Sequence, residues 1–407
     1  MALALSGGLA YIGVAAARID GSIHRSDILS DPSAQAVPKL SADTNILIMG
    51  MDSRLGEDGK PLPQDVYSAL HAGGSGVGGY NANVLMLVHI PADGSKATVI
   101  SIPRDDYVTT AGFPGAGFKA KVKEAYGYAL AAEQTALLRA GQPDGPAAYQ
   151  KARDAGRRAE IATVSGFLGS AHIDHFVELT MAAFYQVAQA IAPIAVCLNR
   201  ATRDTYSGVD FKAGLQQIDA KQAMAFVRQR RDTSDTGYSF SDLDRERRQQ
   251  AFIVSVLHQL RQAGTLADIP KMQNVLDAVS KNIAVDSGLD LIQLLQQASS
   301  LTGGSISFTT LPITGFGWSP QGQSINTVDL AQVRATVRSL LAPTSHPTPK
   351  PTASSPATTS AAPATLAAPA QPASPAQRSA PAQSPAPRPT YADWTGALQG
   401  GGIPCVK

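Results

Sequence analysis

"NVLMLVHIPADGSKATVISIP" (residues 83–103) holds two apolar runs separated by "PADGS". Asp93-Gly94 is a strong turn signal, so the stretch predicts an antiparallel hairpin. Upstream, "TNILIMG" (44–50) reads as a buried strand. The glycine-rich "LHAGGSGVGGYN" (70–81) between them is a flexible loop without the Gly-Lys-Ser/Thr ending of a phosphate-binding P-loop. Downstream, "KAKVKEAYGYALAAEQTALLRAG" (119–141) is helical, and "GQPDGPAAYQKARDAGRRA" (141–159) reads as an exposed insertion. "IDHFVEL" (173–179) and "IAVCL" (194–198) are further strands around the helix "TMAAFYQVAQAIA" (180–192).

Asp219 to Gln222 forms an Asp variant of the capping box and starts a helix running to about Arg230. A second helix runs from about Leu243 to Leu260, its apolar residues recurring at three- and four-residue spacing. Helices over 269–282 and 288–300, a strand over 305–313 and a last helix to about Leu341 complete the pattern. Strands and helices interleave without a regular βαβ rhythm, which predicts an α/β fold with helices packed on a mixed sheet.

The bulk numbers bound the function. With 407 residues and 44% hydrophobic content the chain can bury a sizeable core. A net charge of +2 argues against wholesale nucleic-acid binding, and no helix-turn-helix with a basic face is found. Cys197 and Cys405 are the two cysteines, too isolated for a metal site. They read either as one buried and one exposed thiol or as a disulfide pinning the C-terminal segment, which requires an oxidising compartment.

Residues 2–17 are uncharged and mostly apolar. As a helix they span roughly 24 Å at 1.5 Å per residue, less than the roughly 30 Å of a bilayer core. Residues 1–19 are thus either a buried helix or the truncated end of a transmembrane anchor, and 20–42 a polar spacer. Between 343 and 389, thirteen of the 27 prolines fall among Ala, Ser and Thr with no acid. Such composition predicts a disordered tail (343–390) suited to threading a cell wall, and favours the anchor reading. A short segment, 391–407, follows. The folded domain is expected over 43–342.

Charge becomes informative locally. "FVRQRRDTSDTGYSFSDLDRERRQQ" (226–250) carries six arginines, five acids and no lysine. Arg245 and Arg248 fall in the first turn of a helix, where the peptide dipoles already oppose cations. A salt-bridged helix start with an N-cap aspartate is the plain explanation. Arg228 and Arg230 end the preceding helix, however, and "SIPRDDY" (101–107) puts Arg104 where a strand leaves the sheet. Arginine's planar fork grips phosphate oxygens bidentately, and a helix start adds N–H donors. Convergence of these segments would make a pyrophosphate cradle.

"NILIMGMDSR" (45–54), "SIPRDDYV" (101–108), "KVKEAYGYA" (121–129) and "AMAFVRQR…SDLDRERRQQ", in this order, resemble the LytR-CpsA-Psr family of cell-wall glycopolymer ligases. "GGYNAN…LVHIPADGSKAT" and the ending "IPCVK" are similar to its actinobacterial branch. The resemblance implies a three-layer α/β/α sandwich with a mixed central sheet and an apolar polyprenyl pocket. It also implies an extracytoplasmic domain anchored in the cell membrane by a single N-terminal helix. The implied activity is Mg²⁺-assisted phosphotransfer of a glycopolymer, arabinogalactan at branch level, from a polyprenyl-pyrophosphate carrier to a peptidoglycan acceptor.

The family's strand-end arginine falls on Arg104 and its Arg-x-Arg pair on Arg228 and Arg230. Its closing Asp-x-x-Arg-x-x-Arg-Gln falls on Asp242, Arg245, Arg248 and Gln249. Its first acid is Asp52, as metal ligand or general base; its second falls on "NAN", giving Asn83 a carbonyl oxygen but no charge. Mg²⁺ would then rest on Asp52, Asn83 and Asp242 with substrate phosphates and waters. Asp105 and Asp106 read as caps or as partners orienting Arg104, and Lys121 and Lys123 as a solvent face. Trp318 and Trp394 are candidates for stacking on sugars or for plain surface positions. The alternative function is a non-catalytic polyprenyl-phosphate binder of the cell envelope.

Overall fold

A computed structural model describes residues 23–30, 43–71, 73–74, 79–93, 95–112, 117–234, 240–262, 275–291, 294, 306–342 and 396–407. The readings for 1–19, for the Pro-rich stretch 343–390, for Trp394 and for most of 263–305 lie outside these residues. Among the described residues no helix is long and apolar enough to cross a membrane.

In chain order the elements are β1 (His24–Ser26), β2 (Thr44–Met51), α1 (Gln64–Leu70), β3 (Ala82–Ile90), β4 (Ala97–Ser101), β5 (Tyr107–Thr109) and β6 (Lys119–Lys121). Next come α2 (Ala125–Arg139), α3 (Pro146–Phe167), β7 (His175–Leu179), α4 (Met181–Ile191), β8 (Ile194–Leu198), β9 (Thr202–Asp204), β10 (Val209–Phe211), β11 (Gly214–Ile218) and α5 (Ala220–Phe226). The chain continues through α6 (Asp242–Gln262), β12 (Ile283–Asp286), β13 (Ile306–Thr310), β14 (Gly315–Trp318), β15 (Ser324–Thr327), α7 (Leu330–Leu340), β16 (Leu398–Gln399) and β17 (Cys405–Val406).

The expected hairpin is β3–β4, antiparallel with Leu87 opposite Ile100 and Val88 opposite Val99. It sits near the middle of an eight-stranded sheet ordered β1-β12-β7-β2-β3-β4-β13-β16. β2 runs antiparallel to β3, while β7 is parallel to β2 and β13 parallel to β4, so the sheet is mixed. Its central strands are apolar on both faces because both faces are covered. Leu47, Met49, Leu85, Leu87 and Ile100 pack against Tyr126 and Leu130 of α2, Ile161 and Val164 of α3, and Val333 and Val337 of α7. Alternating with them, Met86, Val99 and Phe308 face Phe226 of α5, Phe252 and Val254 of α6, and Val196 of a small sheet β11-β8-β17. This is the expected α/β/α layering around a large mixed sheet. Gly50 marks the bulge where β2 leaves register with β3, because a Cβ there would lie 2.8 Å from the Val84 Cβ.

Four stretches depart from the sequence reading. Residues 119–121, expected to open a helix, form β6 paired with β5, and the helix starts at Ala125. Residues 24–26, within the expected spacer, form β1 along the edge of the main sheet, parallel to β12. The helix expected to run to about Arg230 stops at Phe226, with Val227 as its C-cap. The expected exposed insertion is instead α3, and its arginines are the reason it is packed rather than solvated. Arg153 and Arg157 are fully buried, paired with Glu57 and Glu178 and hydrogen-bonded to Tyr126 and Tyr149. Burial favours a neutral Glu178, but the two guanidiniums outweigh it and hold the carboxyl down to about 2. Charged residues at core positions disguise the helix as a surface segment. Gly156 completes the packing, since a Cβ there would strike the Tyr126 ring at 2.6 Å.

The segment 396–407 is part of the same core. β16 pairs with β13 and β17 pairs with β8, and Cys405 is bonded to Cys197 across the β17–β8 pair. Of the two cysteine readings the disulfide is the one realised.

Two predictions follow from burial and cross-linking. The Cys197–Cys405 bridge closes a sequence separation of 208 residues, so replacing both cysteines by serine should lower unfolding free energy by about 2–5 kcal/mol in urea melts. Glu160 accepts a hydrogen bond from the Tyr126 N–H, but burial pushes its carboxyl up to about 8. Because the folded form keeps a proton that the unfolded form releases, stability should fall as pH rises from the ordinary carboxyl range towards 8. Glu160→Gln should make that fall shallower in melts taken between pH 4 and pH 8.

Candidate active site

β2 and β4 run in the same direction with β3 antiparallel between them, so the residues after Met51 and Ser101 and those before Ala82 emerge at one end of the sheet. The Asp52 N–H donates to the Asn81 carbonyl there, and the Ile102 N–H to that of Leu85. Arg104 follows on the β4 side, two strand spacings or about 10 Å from the Asp52 side. The start of α6 is held above this edge. Gln250, two turns into the helix, donates to Ser101 Oγ and Thr310 Oγ1, both at 2.8 Å, at the ends of β4 and β13.

Ser241, not an aspartate, caps α6. Asp244 Oδ2 accepts from the Ser241 N–H at 2.7 Å and the Ser241 hydroxyl accepts from the Asp244 N–H at 3.2 Å, a reciprocal box. Asp242 is thereby left to face the arginines. Arg104 donates bidentately to it, Nε to Oδ2 and Nη2 to Oδ1, both at 3.0 Å. Arg245 Nη2 donates to Oδ2 at 2.8 Å, and Arg230 Nε lies 4.0 Å from Oδ1. Three arginines, from beyond a strand end, from the segment after α5 and from a helix start, thus meet at one carboxylate.

The cationic character extends further. Lys123 and Lys121 reach Asp105 Oδ1 at 2.7 and 3.4 Å, and Arg104 Nε lies 3.6 Å from Asp105 Oδ2. Both lysines are largely buried by this pairing instead of forming the expected solvent face. Burial opposes ionisation of Asp105, but Lys123 and Arg104 overcome it and hold the carboxyl below its usual range. Asp106 and Glu246 behave oppositely. Burial pushes both well up, with Asp242 adding to the rise at Glu246, whose two oxygens have no hydrogen-bond partner. Arg104, Arg230, Arg245, Lys121 and Lys123 are thus gathered around Asp105 and Asp242, with Asp106 and Glu246 buried beside them.

Arg245 registers the excess. Burial, then Arg104, pull its guanidinium down to about 10 despite Asp242, and its buried Nε has no hydrogen-bond partner. A dry, net-positive cluster with an unsatisfied donor fits an anion with several oxygens.

The other candidates divide. Arg248, expected in the cradle, is fully buried elsewhere. It donates to the Lys407 carbonyl, Gln229 Oε1 and Thr202 Oγ1, and lies between the Phe226 and Phe240 rings. The physical reason is angular: three residues on from Arg245, it points about 60° round the helix, into the packing beneath. Arg228 donates to the Leu70 carbonyl and Gln249 to that of Val227, so in this structure both fasten the chain after α5. Asp52 pairs with Arg54, a neighbour the sequence reading did not single out. Asn83 Oδ1 is buried without a partner.

The expected metal set is not assembled as one group. Asp242 is spent on guanidiniums, and among the described residues no cluster of three or more His, Cys, Asp or Glu could hold an ion. Asp52 and Asn83 lie on adjacent strand ends of the β2–β3 edge, but no contact joins their side chains: Asp52 is paired with Arg54, and Asn83 Oδ1 is buried without a partner. Ser53 and Ser101 are occupied locally, Ser53 in a turn with Leu55 and Ser101 by Gln250.

The model of the LytR_cpsA_psr family matches residues 13–340. The cell wall biosynthesis protein LcpA of Corynebacterium glutamicum is 33% identical over 293 residues, covering 72% of this chain and 54% of LcpA. This chain thus spans about half of that relative's length. The polyisoprenyl-teichoic acid–peptidoglycan teichoic acid transferase TagU of Oceanobacillus iheyensis is 26% identical over 292 residues, covering 71% and 73% of the two chains. Among solved structures, a Streptococcus agalactiae protein superposes with TM-score 0.51 at 19% identity, covering 74% of this chain and 88% of its own. Bacillus subtilis TagV superposes with TM-score 0.50 at 20% identity, covering 75% and 98%. These two likenesses concern the fold.

Inorganic pyrophosphate tests the cluster directly. It should bind the protein and raise its melting temperature, and Arg104→Met should weaken binding by on the order of tenfold to a hundredfold in calorimetric titration.

Proposed function

The chain belongs to the LytR-CpsA-Psr family, and from that premise we propose that it transfers a glycopolymer from a polyprenyl-pyrophosphate carrier to peptidoglycan. The observation that carries this reading is the meeting of Arg104, Arg230 and Arg245 at Asp242 within a cluster rich in uncompensated positive charge. The transferase named for O. iheyensis supports the class of donor and acceptor.

In the proposed reaction, a sugar hydroxyl of the acceptor attacks the phosphorus attached to the glycopolymer. The bond from that phosphorus to the bridging oxygen breaks, and its electron pair leaves on polyprenyl phosphate. Arg104 and Arg245, held rigidly and largely out of water, stabilise the charge that builds on the leaving phosphate. Arg230, the most exposed of the three, can close on the diphosphate from the solvent side. Asp52, oriented by Arg54, is the candidate to take the hydroxyl proton or to hold a cation. Mg²⁺ held by Asp52, Asn83 and the substrate phosphates would supply Lewis-acid stabilisation of the phosphoryl oxygens.

The finer assignments belong to the same proposal. Arabinogalactan is the proposed polymer, on the branch resemblance of the sequence. A cell-membrane anchor within residues 1–19 and an extracytoplasmic catalytic domain agree with the Cys197–Cys405 disulfide, a bond of oxidising compartments. One observation favours a second reading, a non-catalytic lipid-phosphate binder: Asn83 brings no charge to the metal edge.

Incubating the protein with a polyprenyl pyrophosphate and Mg²⁺ separates the two, since only the enzyme releases phosphate. Arg245→Ala should lower that rate by on the order of 10²–10³ with the fold retained by circular dichroism. Arg230→Ala should impair it too, and Lys at either position should fail to restore it, because a point charge lacks the guanidinium fork. Full activity in both alanine variants would refute the cradle.

A further inference from the structure

β14 reads Gly315-Phe316-Gly317-Trp318, an alternation that puts both aromatic rings on one face of the strand. Both are exposed, Phe316 by 62% and Trp318 by 76%. Aromatic side chains contribute most when buried, so two adjacent bare rings on an ordered strand mark a contact surface. The glycines serve the opposite face. A Cβ at Gly317 would press to 3.3 Å on Thr327 Cγ2, so the strand lies close on its partner there.

This hairpin is fastened to the arginine cluster. Phe316 lies directly opposite Asn326 and Trp318 opposite Ser324, and opposed side chains of an antiparallel pair share a face. The Asn326 carboxamide donates to Asp106 Oδ1 at 3.0 Å and the Asn326 N–H to the Asp105 carbonyl at 2.8 Å. Asp105 and Asp106 directly follow Arg104. Gln323 adds a 3.2 Å bond to Glu124, and the Ser319 hydroxyl accepts from the N–H groups of Gln321 and Gln323 to stiffen the turn. The aromatic pair therefore has a fixed position beside the cradle.

The surrounding chemistry selects the occupant. From Thr314 to Thr327 the sequence "TGFGWSPQGQSINT" has no charged residue, and the polar side chains of the hairpin are hydroxyls and amides. A strip that lies on an anionic bilayer carries Lys and Arg, and so does a nucleic-acid surface. Flat apolar rings bordered by neutral hydrogen-bonding groups instead match a neutral glycan, whose sugar rings present C–H faces edged by hydroxyls. We infer that Phe316 and Trp318 form a stacking platform for an uncharged stretch of glycan entering the diphosphate cradle. The inference rests on the glycopolymer-transfer reading and extends it to the sugars next to the reacting phosphate. The occupant is the donor's glycan, because the sugars covalently joined to the diphosphate are those that must lie next to the segment carrying Arg104.

The test uses the full chain carrying Trp394→Phe, so that Trp318 is the remaining tryptophan and its emission reports the platform. Three probes are titrated: a β-1,4-linked N-acetylglucosamine tetramer, a neutral galactan oligosaccharide, and anionic phospholipid vesicles. The galactan should shift the emission, and Trp318→Ala and Phe316→Ala should each weaken its calorimetric binding by on the order of tenfold. Absence of galactan binding, binding of the tetramer alone, unchanged affinity in the variants, or a loss confined to vesicles would overturn the inference. Inorganic pyrophosphate is titrated in parallel, so that a failure of the cradle appears in that arm and a failure of the platform in the sugar arms.

Discussion

Two guanidiniums in a dry site repel each other unless an anion lies between them, and Asp242 is that anion for Arg104 and Arg245. Its carboxylate accepts three hydrogen bonds from two segments far apart in sequence, and its neighbour Arg230 approaches from a third. Everything that shapes the site serves this meeting. The end of β4 delivers Arg104, Gln250 seats α6 on β4 and β13, and the Ser241–Asp244 box frees Asp242 from capping duty. Asp242 is shared among three guanidiniums, and on the proposed reading the positive charge it leaves over is what a phosphate would meet.

The α3 network shows what the same residues do when the charges balance. Arg153 and Arg157 face Glu57 and Glu178 in full burial, and both guanidiniums are held more firmly protonated than free arginine. That arrangement is closed, satisfied and structural. At the candidate site the balance is reversed and Arg245 is pulled down instead. A lowered value alone does not mark a site, though. Arg248 is pushed down to about 9 by burial among largely neutral acceptors, yet its role is to grip a backbone carbonyl. What separates the two is the excess of cations around Arg245 and its unmet Nε.

The sequence disclosed those features that repeat or punctuate. An Asp-Gly turn between apolar runs gave the central hairpin, and arginine without lysine in 226–250 pointed to convergence on an anion. It misled where position within an element decides. Arg245 and Arg248 read together as arginines of one helix start, but the roughly 60° between them turns one to Asp242 and the other into the core. Charged residues hid α3, because its buried arginines find their acids on Glu57 and Glu178, far away in the chain. Lys121 and Lys123 looked solvated for the same reason, their partner Asp105 being visible only in three dimensions. Hydrophobic periodicity reports faces; it does not report which buried charge has a distant counter-ion.

The segment 396–407 links these lessons to the site. Its strands extend two sheets, its Cys405 is bonded to Cys197, and Lys407 donates to Asp244 at 3.2 Å while its carbonyl accepts from Arg248 at 2.6 Å. Arg247 holds the same segment through the Gly396 carbonyl at 2.8 Å. The opening turns of α6 are thus clamped by residues that follow a long proline-rich stretch. Asp244 is shared between the Ser241 cap and the Lys407 ammonium, so the clamp and the cap act on one carboxylate. Arginines near a helix start are opposed by the peptide dipoles. Fastening it at Asp244, Arg247 and Arg248 leaves Asp242 and Arg245 fixed in the one place where their charges face Arg104.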